Sequence, residues 1–144
     1  MKAIRHSGIV VSDLERSLSF YRDIIGLKVV KKQEESSEFI DKICGIKGSK
    51  LTTVKMAADD GNLVELLFFH SHRAPRQCRN LYDIGPSHLA FTVQDIEGEY
   101  KRLLGKKVEF ISPPAASPNG YVKVAFCKDP DGVFIELVEM MEGI

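Results

Sequence analysis

Two successive patterns of apolar residues run along this chain, and both predict the same order of elements. Alternating apolar positions indicate strands, and apolar positions three or four apart indicate helices. The first pattern predicts a strand, a helix and three strands, over residues 4–11, 14–25, 27–31, 51–57 and 63–69. The second predicts the same series, with a helix ending at residue 104 and strands over residues 88–93, 108–111, 121–127 and 133–139. Each half of the chain is therefore expected to form a β-α-β-β-β unit.

Two such units cannot bury their sheets alone. We therefore expect an α+β fold, in which two βαβββ modules pair into a curved, mostly antiparallel, cup-shaped sheet with helices outside. The modules span about residues 1–70 and 86–144 of a single domain, 1–144. Ser12 or Asp13 is expected to cap the first helix, and Gln94 or Asp95 the second.

Four further segments lie between these elements. Residues 32–37 are expected to be solvated, and residues 39–46 form either a short helix or a lid. Residues 70–83 read as a linker between the copies, and residues 112–120 as a loop that either closes over a site or simply connects two strands. The linker arginines could clamp an anionic substrate group or be solvated: Arg73, Arg76 and Arg79.

Composition narrows the class of protein. The formal net charge is zero, which argues against nucleic acid as a partner. No apolar run is long enough to cross a membrane, and the N-terminus lacks the pattern of a signal peptide. The three cysteines are scattered and odd in number, as is typical of reduced thiols in a cytoplasmic protein.

The repeat extends to single residues that can bind metal. The sequence HSGIVVSD starts at His6 and HLAFTVQD starts at His88, while DGNLVE ends at Glu65 and DGVFIE ends at Glu136. A carboxylate within an apolar strand is costly to bury unless it is paired or bound to metal. Two histidines and two carboxylates are suitable ligands for Ni, Co, Fe, Mn or Zn, so the ligand types leave the metal open.

These residues resemble the vicinal oxygen chelate superfamily, which includes glyoxalase I, methylmalonyl-CoA epimerase, extradiol dioxygenases and the fosfomycin and bleomycin resistance proteins. The resemblance covers nearly the whole chain. The motifs that carry it are HSGIVVSDLERSLSFYRDIIGL, NLVELLFF, PSHLAFTVQDIE and DPDGVFIELVE. It implies paired βαβββ modules around one divalent metal ion per site, in a homodimer.

The resemblance also implies roles for the four residues. Bacterial glyoxalase I is similar in using His, Glu, His and Glu, which match the metal ligands expected here: His6, Glu65, His88 and Glu136. The implied reaction is that of a lyase or isomerase, in which a base removes a proton beside a carbonyl to give a metal-bound enediolate. Either carboxylate could be that base; Glu136 is favoured, with Glu65 as its counterpart.

One departure from the bacterial glyoxalase pattern concerns the thiol part of the substrate. That pattern has Arg four residues after the first His and Asn four residues after the first Glu, and both help to hold glutathione. This chain has Val10 and Phe69 there, which cannot bind carboxylates. The expected substrate is therefore a small molecule with adjacent oxygens, such as a thioester or a 2-oxo compound, and dependence on glutathione is in doubt.

Two other functions remain open. An extradiol-type dioxygenase would need Fe(II) and three ligands, so it would not require Glu65. A metal-free protein that binds a drug, as bleomycin-sequestering proteins do, would require none of the four residues. The retained set of four therefore favours the metal-dependent enzyme.

Overall fold

The computed structural model describes residues 1–141 and divides into two compact units, Met1–Arg76 and the part that begins at Gln77. The elements of the first unit are β1 Ser7–Val10, α1 Leu14–Leu18, β2 Lys28–Glu35, α2 Glu38–Cys44, β3 Leu51–Ala57 and β4 Leu63–Phe69. Those of the second are β5 His88–Thr92, α3 Ile96–Gly105, β6 Ala115–Ala116, β7 Val122–Lys128 and β8 Phe134–Met140. No helix within the described residues is long and apolar enough to cross a membrane.

Each unit contains one four-stranded mixed sheet. The strand orders are β1-β4-β3-β2 and β5-β8-β7-β6. In both sheets the first and last strands of the unit pair in parallel, and the other pairs are antiparallel. The predicted α+β class, the repeated β-α-β-β-β order and the mostly antiparallel pairing are confirmed.

Aspartates start the first helix of each unit. The side chain of Asp13 accepts a hydrogen bond from the backbone N–H of Arg16, and that of Asp95 accepts one from Gly98. After α1 the chain continues as a π-helical segment, Ser19–Ile24, which buries Phe20 and Tyr21. Of the two candidates for each cap, the aspartate is therefore the one that the structure uses.

The undecided segment between β2 and β3 is a helix. Ser37 caps α2 by accepting a hydrogen bond from the backbone N–H of Ile40. Gly45 ends the helix with φ of 67°, in the left-handed region that glycine enters without steric cost.

Three of the predicted strands differ from the structure. β1 begins at Ser7 rather than at residue 4. β2 continues to Glu35, where a solvated polar segment was expected, because β3 pairs with it along its whole length. This is an edge strand, so its polar side chains can face water. The predicted strand at 108–111 contributes only an isolated bridge between Phe110 and Cys127. The fourth strand of the second sheet is instead β6, which lies inside the predicted loop 112–120.

Candidate functional site

His6 and Glu65 meet in the first unit because β1 lies parallel to β4. The register places Gly8 opposite Glu65. His6 immediately precedes β1 and lies two residues before Gly8, so it is on the same side of the sheet as Gly8. The distance from His6 Nε2 to Glu65 Oε2 is 3.9 Å. The Glu65 side chain is only 10% exposed. The predicted pair is therefore close together and largely withdrawn from water.

His88 and Glu136 form the corresponding pair in the second unit. Here Ala90 lies opposite Glu136, so His88 again stands two residues before the partner of the glutamate. His88 Nε2 lies 3.0 Å from Glu136 Oε2. The same register in both sheets brings together the histidine and glutamate of each copy.

Lys55 is a further charged residue at the first pair, and the sequence analysis missed it. Lys55 lies opposite Glu65 in the β3–β4 register, and its Nζ is 3.0 Å from Glu65 Oε2. The signal that could have revealed it is a lysine inside the otherwise uncharged strand LTTVKMA. The Lys55 side chain is only 23% exposed, so an unpaired charge would be costly there.

A hydrogen-bond chain sets the orientation of His88. The Ser87 hydroxyl donates to the backbone carbonyl of Leu81 at 3.0 Å, and the same oxygen lies 3.1 Å from His88 Nδ1. A hydroxyl has one hydrogen. Both contacts are therefore satisfied when Nδ1–H donates to Ser87, which leaves the lone pair of a neutral His88 on Nε2, facing Glu136.

That arrangement fits a bound cation. A neutral imidazole lone pair and a carboxylate oxygen repel each other at 3.0 Å, so this contact requires either a proton on His88 Nε2 or a cation bound to both atoms. The nitrogen and oxygen donors also suit the divalent transition metals.

The polar atoms of the first pair differ in their partners. His6 Nδ1 is buried and has no hydrogen-bond partner within the described residues, whereas Glu65 Oε2 has the Lys55 ammonium at 3.0 Å. Buried polar atoms normally have partners, so the ring of His6 is not fully satisfied by the described residues, although the nitrogen that faces Glu65 is Nε2. By the types of their donor atoms, the residues of both pairs fit the metal that the sequence resemblance implies.

Each pair offers two candidate ligands. Over residues 1–141, no group of three or more His, Cys, Asp or Glu side chains lies close enough together to hold a metal ion. Catalytic metal centres use at least three protein ligands. The assembly of all four residues into one centre thus stays a prediction.

Arg73, the first arginine of the linker, makes its contacts within the first unit. The Arg73 guanidinium lies 4.6 Å above the Phe68 ring and donates a hydrogen bond to the backbone carbonyl of Ser12. His70 Nε2 lies 2.7 Å from the Thr52 hydroxyl. These contacts fasten the start of the linker to the sheet, so Arg73 is not simply solvated.

Comparison with known proteins identifies the family. A family model described as the Glyoxalase/Bleomycin resistance protein/Dioxygenase superfamily matches residues 3–137. The chain therefore belongs to that superfamily, in agreement with the resemblance seen in its motifs.

Two relatives and one solved structure are similar to this chain over nearly its whole length. A protein named "Probable lactoylglutathione lyase" from Synechocystis is 29% identical over 138 residues, which cover 93% of this chain and 92% of the relative. A protein of the same name from Vibrio cholerae is 27% identical and covers 94% of this chain and 89% of its own length. The crystal structure of a glyoxalase family protein from Bacillus cereus has a TM-score of 0.88 and 22% identity, over 98% of this chain and 95% of that one. Family and relatives together support a glyoxalase-like function.

Proposed function

We propose that this protein is a divalent-metal-dependent, glyoxalase-like lyase or isomerase that removes a proton beside a carbonyl. The proposed metal ligands are His6, Glu65, His88 and Glu136. The observation that carries the proposal is the identical register that brings one histidine to one glutamate in each unit. A structural role for either pair alone would not require the other copy to repeat it.

The metal, when bound, would polarise the substrate carbonyl and stabilise the negative charge that develops there. The protein groups have separate tasks. The imidazoles act only as ligands. The carboxylates are both ligands and the groups that can accept and return a proton.

Glu136 is the better candidate for the base. Glu65 already has Lys55 as a charge partner at 3.0 Å. At the position of Lys55 the second unit has Phe126, which lies opposite Glu136 and brings no charge. Glu136 therefore takes the proton from the carbon, and Glu65 serves as its counterpart on the return.

The relatives' names support a substrate class. Proteins named lactoylglutathione lyase are similar to this chain over nearly its whole length, which favours a small substrate with adjacent oxygens, such as the hemithioacetal of a 2-oxo aldehyde. A homodimer is proposed on the superfamily resemblance, and a cytoplasmic location on the scattered, odd-numbered cysteines. Sedimentation analysis of the purified protein tests the dimer.

The first experiment measures metal content. Protein purified without chelators or nickel affinity resin is compared with His88→Ala, and with His72→Ala as the control at an exposed histidine. We expect about one divalent ion per chain in the wild type and in the control, and loss of the ion in His88→Ala. No metal in the wild type, even after incubation with Ni, Co, Mn, Fe and Zn, would refute the proposal and leave the drug-binding function.

The second experiment measures the chemistry. Exchange of the α-proton into deuterated water is followed for hemithioacetals of 2-oxo aldehydes and for thioesters. Glu136→Gln should abolish exchange, while Glu99→Gln, which changes a carboxylate paired with Arg102 on α3, should leave it intact. Oxygen uptake with a catechol, in place of exchange, would instead identify a dioxygenase.

A further inference from the structure

The two His–Glu pairs differ by one charge. Lys55 stands opposite Glu65 in the first sheet, and Phe126 stands opposite Glu136 in the second. Both lie ten residues before their glutamate, so they are equivalent positions of the repeat. Phe126 packs edge-on against His88, with ring centroids 5.2 Å apart. The first pair thus has a built-in cation where the second has an aromatic ring.

Lys55 approaches the same oxygen that faces His6. Glu65 Oε2 is 3.0 Å from Lys55 Nζ and 3.9 Å from His6 Nε2. A divalent ion bound to this oxygen and to His6 would lie within a few ångströms of the ammonium. Two cations so close repel each other, more strongly where water is largely excluded. The side chains of Lys55 and Glu65 are only 23% and 10% exposed, so little water screens that repulsion.

The Lys55–Glu65 contact is also an incomplete one. Glu65 Oε2 has the Lys55 ammonium at 3.0 Å and no hydrogen-bond partner besides it within residues 1–141. A buried ion pair stabilises a fold only when its geometry is good and further hydrogen bonds satisfy its atoms. This pair neutralises the carboxylate but does not hold it in a hydrogen-bonded network, so another cation can replace the lysine.

We propose that Lys55 competes with the divalent metal for Glu65 and thereby sets the metal affinity of the site. Before metal binds, the ammonium compensates the buried carboxylate. When metal binds, the ammonium leaves Glu65 Oε2. This inference rests on the proposed function, since it requires that Glu65 is a ligand.

The test is a calorimetric titration with Mn²⁺ of the wild type, Lys55→Met and Lys28→Met. Methionine keeps most of the length of the lysine side chain without its charge. Lys28 is the control because it also belongs to the first sheet, but its ion pair with Asp59 is exposed. We expect Lys55→Met to bind Mn²⁺ about tenfold more tightly, and Lys28→Met to match the wild type.

Thermal unfolding separates this role from a purely structural one. Lys55→Met leaves Glu65 without its charge partner, so the metal-free variant should unfold at a lower temperature than the wild type. Saturating Mn²⁺ should then raise its midpoint by more than it raises that of the wild type. A lower midpoint without a larger gain from Mn²⁺ would mean that the lysine only supports the fold, and would overturn the inference.

Two further variants keep the inference testable if Lys55→Met does not fold. Lys55→Arg retains the positive charge and should bind Mn²⁺ as the wild type does. Phe126→Lys places a second ammonium opposite Glu136 and should weaken binding. If the wild type binds Mn²⁺ and Lys55→Met binds it equally or less tightly, the inference fails alone. If the wild type binds no divalent ion, the proposed function fails and the inference with it.

Discussion

The hydroxyl oxygen of Ser87 lies 3.1 Å from His88 Nδ1, and the same hydroxyl donates a hydrogen bond to the backbone carbonyl of Leu81. When the ring is neutral and Nδ1 carries the proton, this contact leaves Nε2 available to the proposed metal. Ser87→Ala should therefore weaken metal binding by roughly 10–100-fold, as is typical when a group that orients a ligand is lost. Metal affinity is measured by titration with Mn²⁺ or Co²⁺.

Ser87→Thr is the matched variant for this prediction, because it keeps the hydroxyl. It should restore most of the affinity. Nitrogen-15 NMR of the His88 ring reports the tautomer directly, and the proton should lie on Nδ1 in the metal-free wild type when the ring is neutral. Equal metal affinity in Ser87→Ala and Ser87→Thr would refute the role of the hydroxyl.

The buried cysteine should be chemically inert. Burial, with a smaller contribution from the charge of Asp129, raises the pKa of Cys127 from 9.0 to about 12. Only the thiolate is a good nucleophile. At about pH 8 a disulfide reagent should therefore modify the exposed Cys44 and Cys78 but leave Cys127 unmodified until the protein unfolds.

The control is the double variant Cys44→Ser, Cys78→Ser, which should show no rapid reaction.

The raised pKa of Cys127 also predicts that the protein loses stability in alkali. A pKa that is raised in the folded protein stabilises the fold below the unfolded value of 9.0, and this stabilisation is lost as the pH rises towards about 12. Rapid modification of Cys127 in the native protein would contradict the packing described here.

Asp41 should make the first unit sensitive to acid. Its carboxylate accepts hydrogen bonds from the backbone N–H groups of Gly48 and Ser49, both at 2.7 Å. These hydrogen bonds lower the pKa of Asp41 below 3.8, and the bond from Gly48 has the larger effect. A lowered pKa stabilises the fold above the unfolded value, and that stabilisation is lost as the pH falls through the folded value.

Asp41→Asn should therefore lower the unfolding midpoint at about pH 7, and the difference from the wild type should shrink at about pH 2. Thermal unfolding followed by circular dichroism at the two pH values measures this. Asp59→Asn, at a carboxylate whose side chain is 96% exposed, is the control. A difference in unfolding midpoint that stays constant between the two pH values would show that the stability of the fold does not depend on the charge of Asp41.

The thiol part of the substrate should contribute little to recognition. Val10 and Phe69 stand where bacterial glyoxalase I has residues that hold glutathione. If the protein is a glyoxalase-like lyase, its kcat/KM for the glutathione hemithioacetal of methylglyoxal should not exceed that for the 2-mercaptoethanol adduct. A strong preference for the glutathione adduct would show that other residues bind the glutathione carboxylates.

Local patterns in the sequence predicted most of the fold. The bounds of β3 and β4 agree with the prediction, because two mostly apolar segments on either side of a turn at residues 59–62 are a strong signal for a hairpin. Sequence alone also predicted the repeat, and with it the four candidate residues. It did not predict the pairing of β2 as far as Glu35, since an edge strand can carry polar residues that look like a solvated loop.

The sequence by itself determined the superfamily, the β-α-β-β-β order of each unit and the candidate histidines and glutamates, because these depend on residue types and on spacing along the chain. Only the tertiary structure decided what lies beside each carboxylate. Lys55 and Glu65 are ten residues apart in the sequence, yet antiparallel pairing of β3 with β4 brings their charges to 3.0 Å. The Ser87 contact is likewise invisible in a string of residues, because it depends on where the backbone carries Leu81. Neighbours in space set the charge and orientation of a ligand, and sequence patterns do not specify those neighbours.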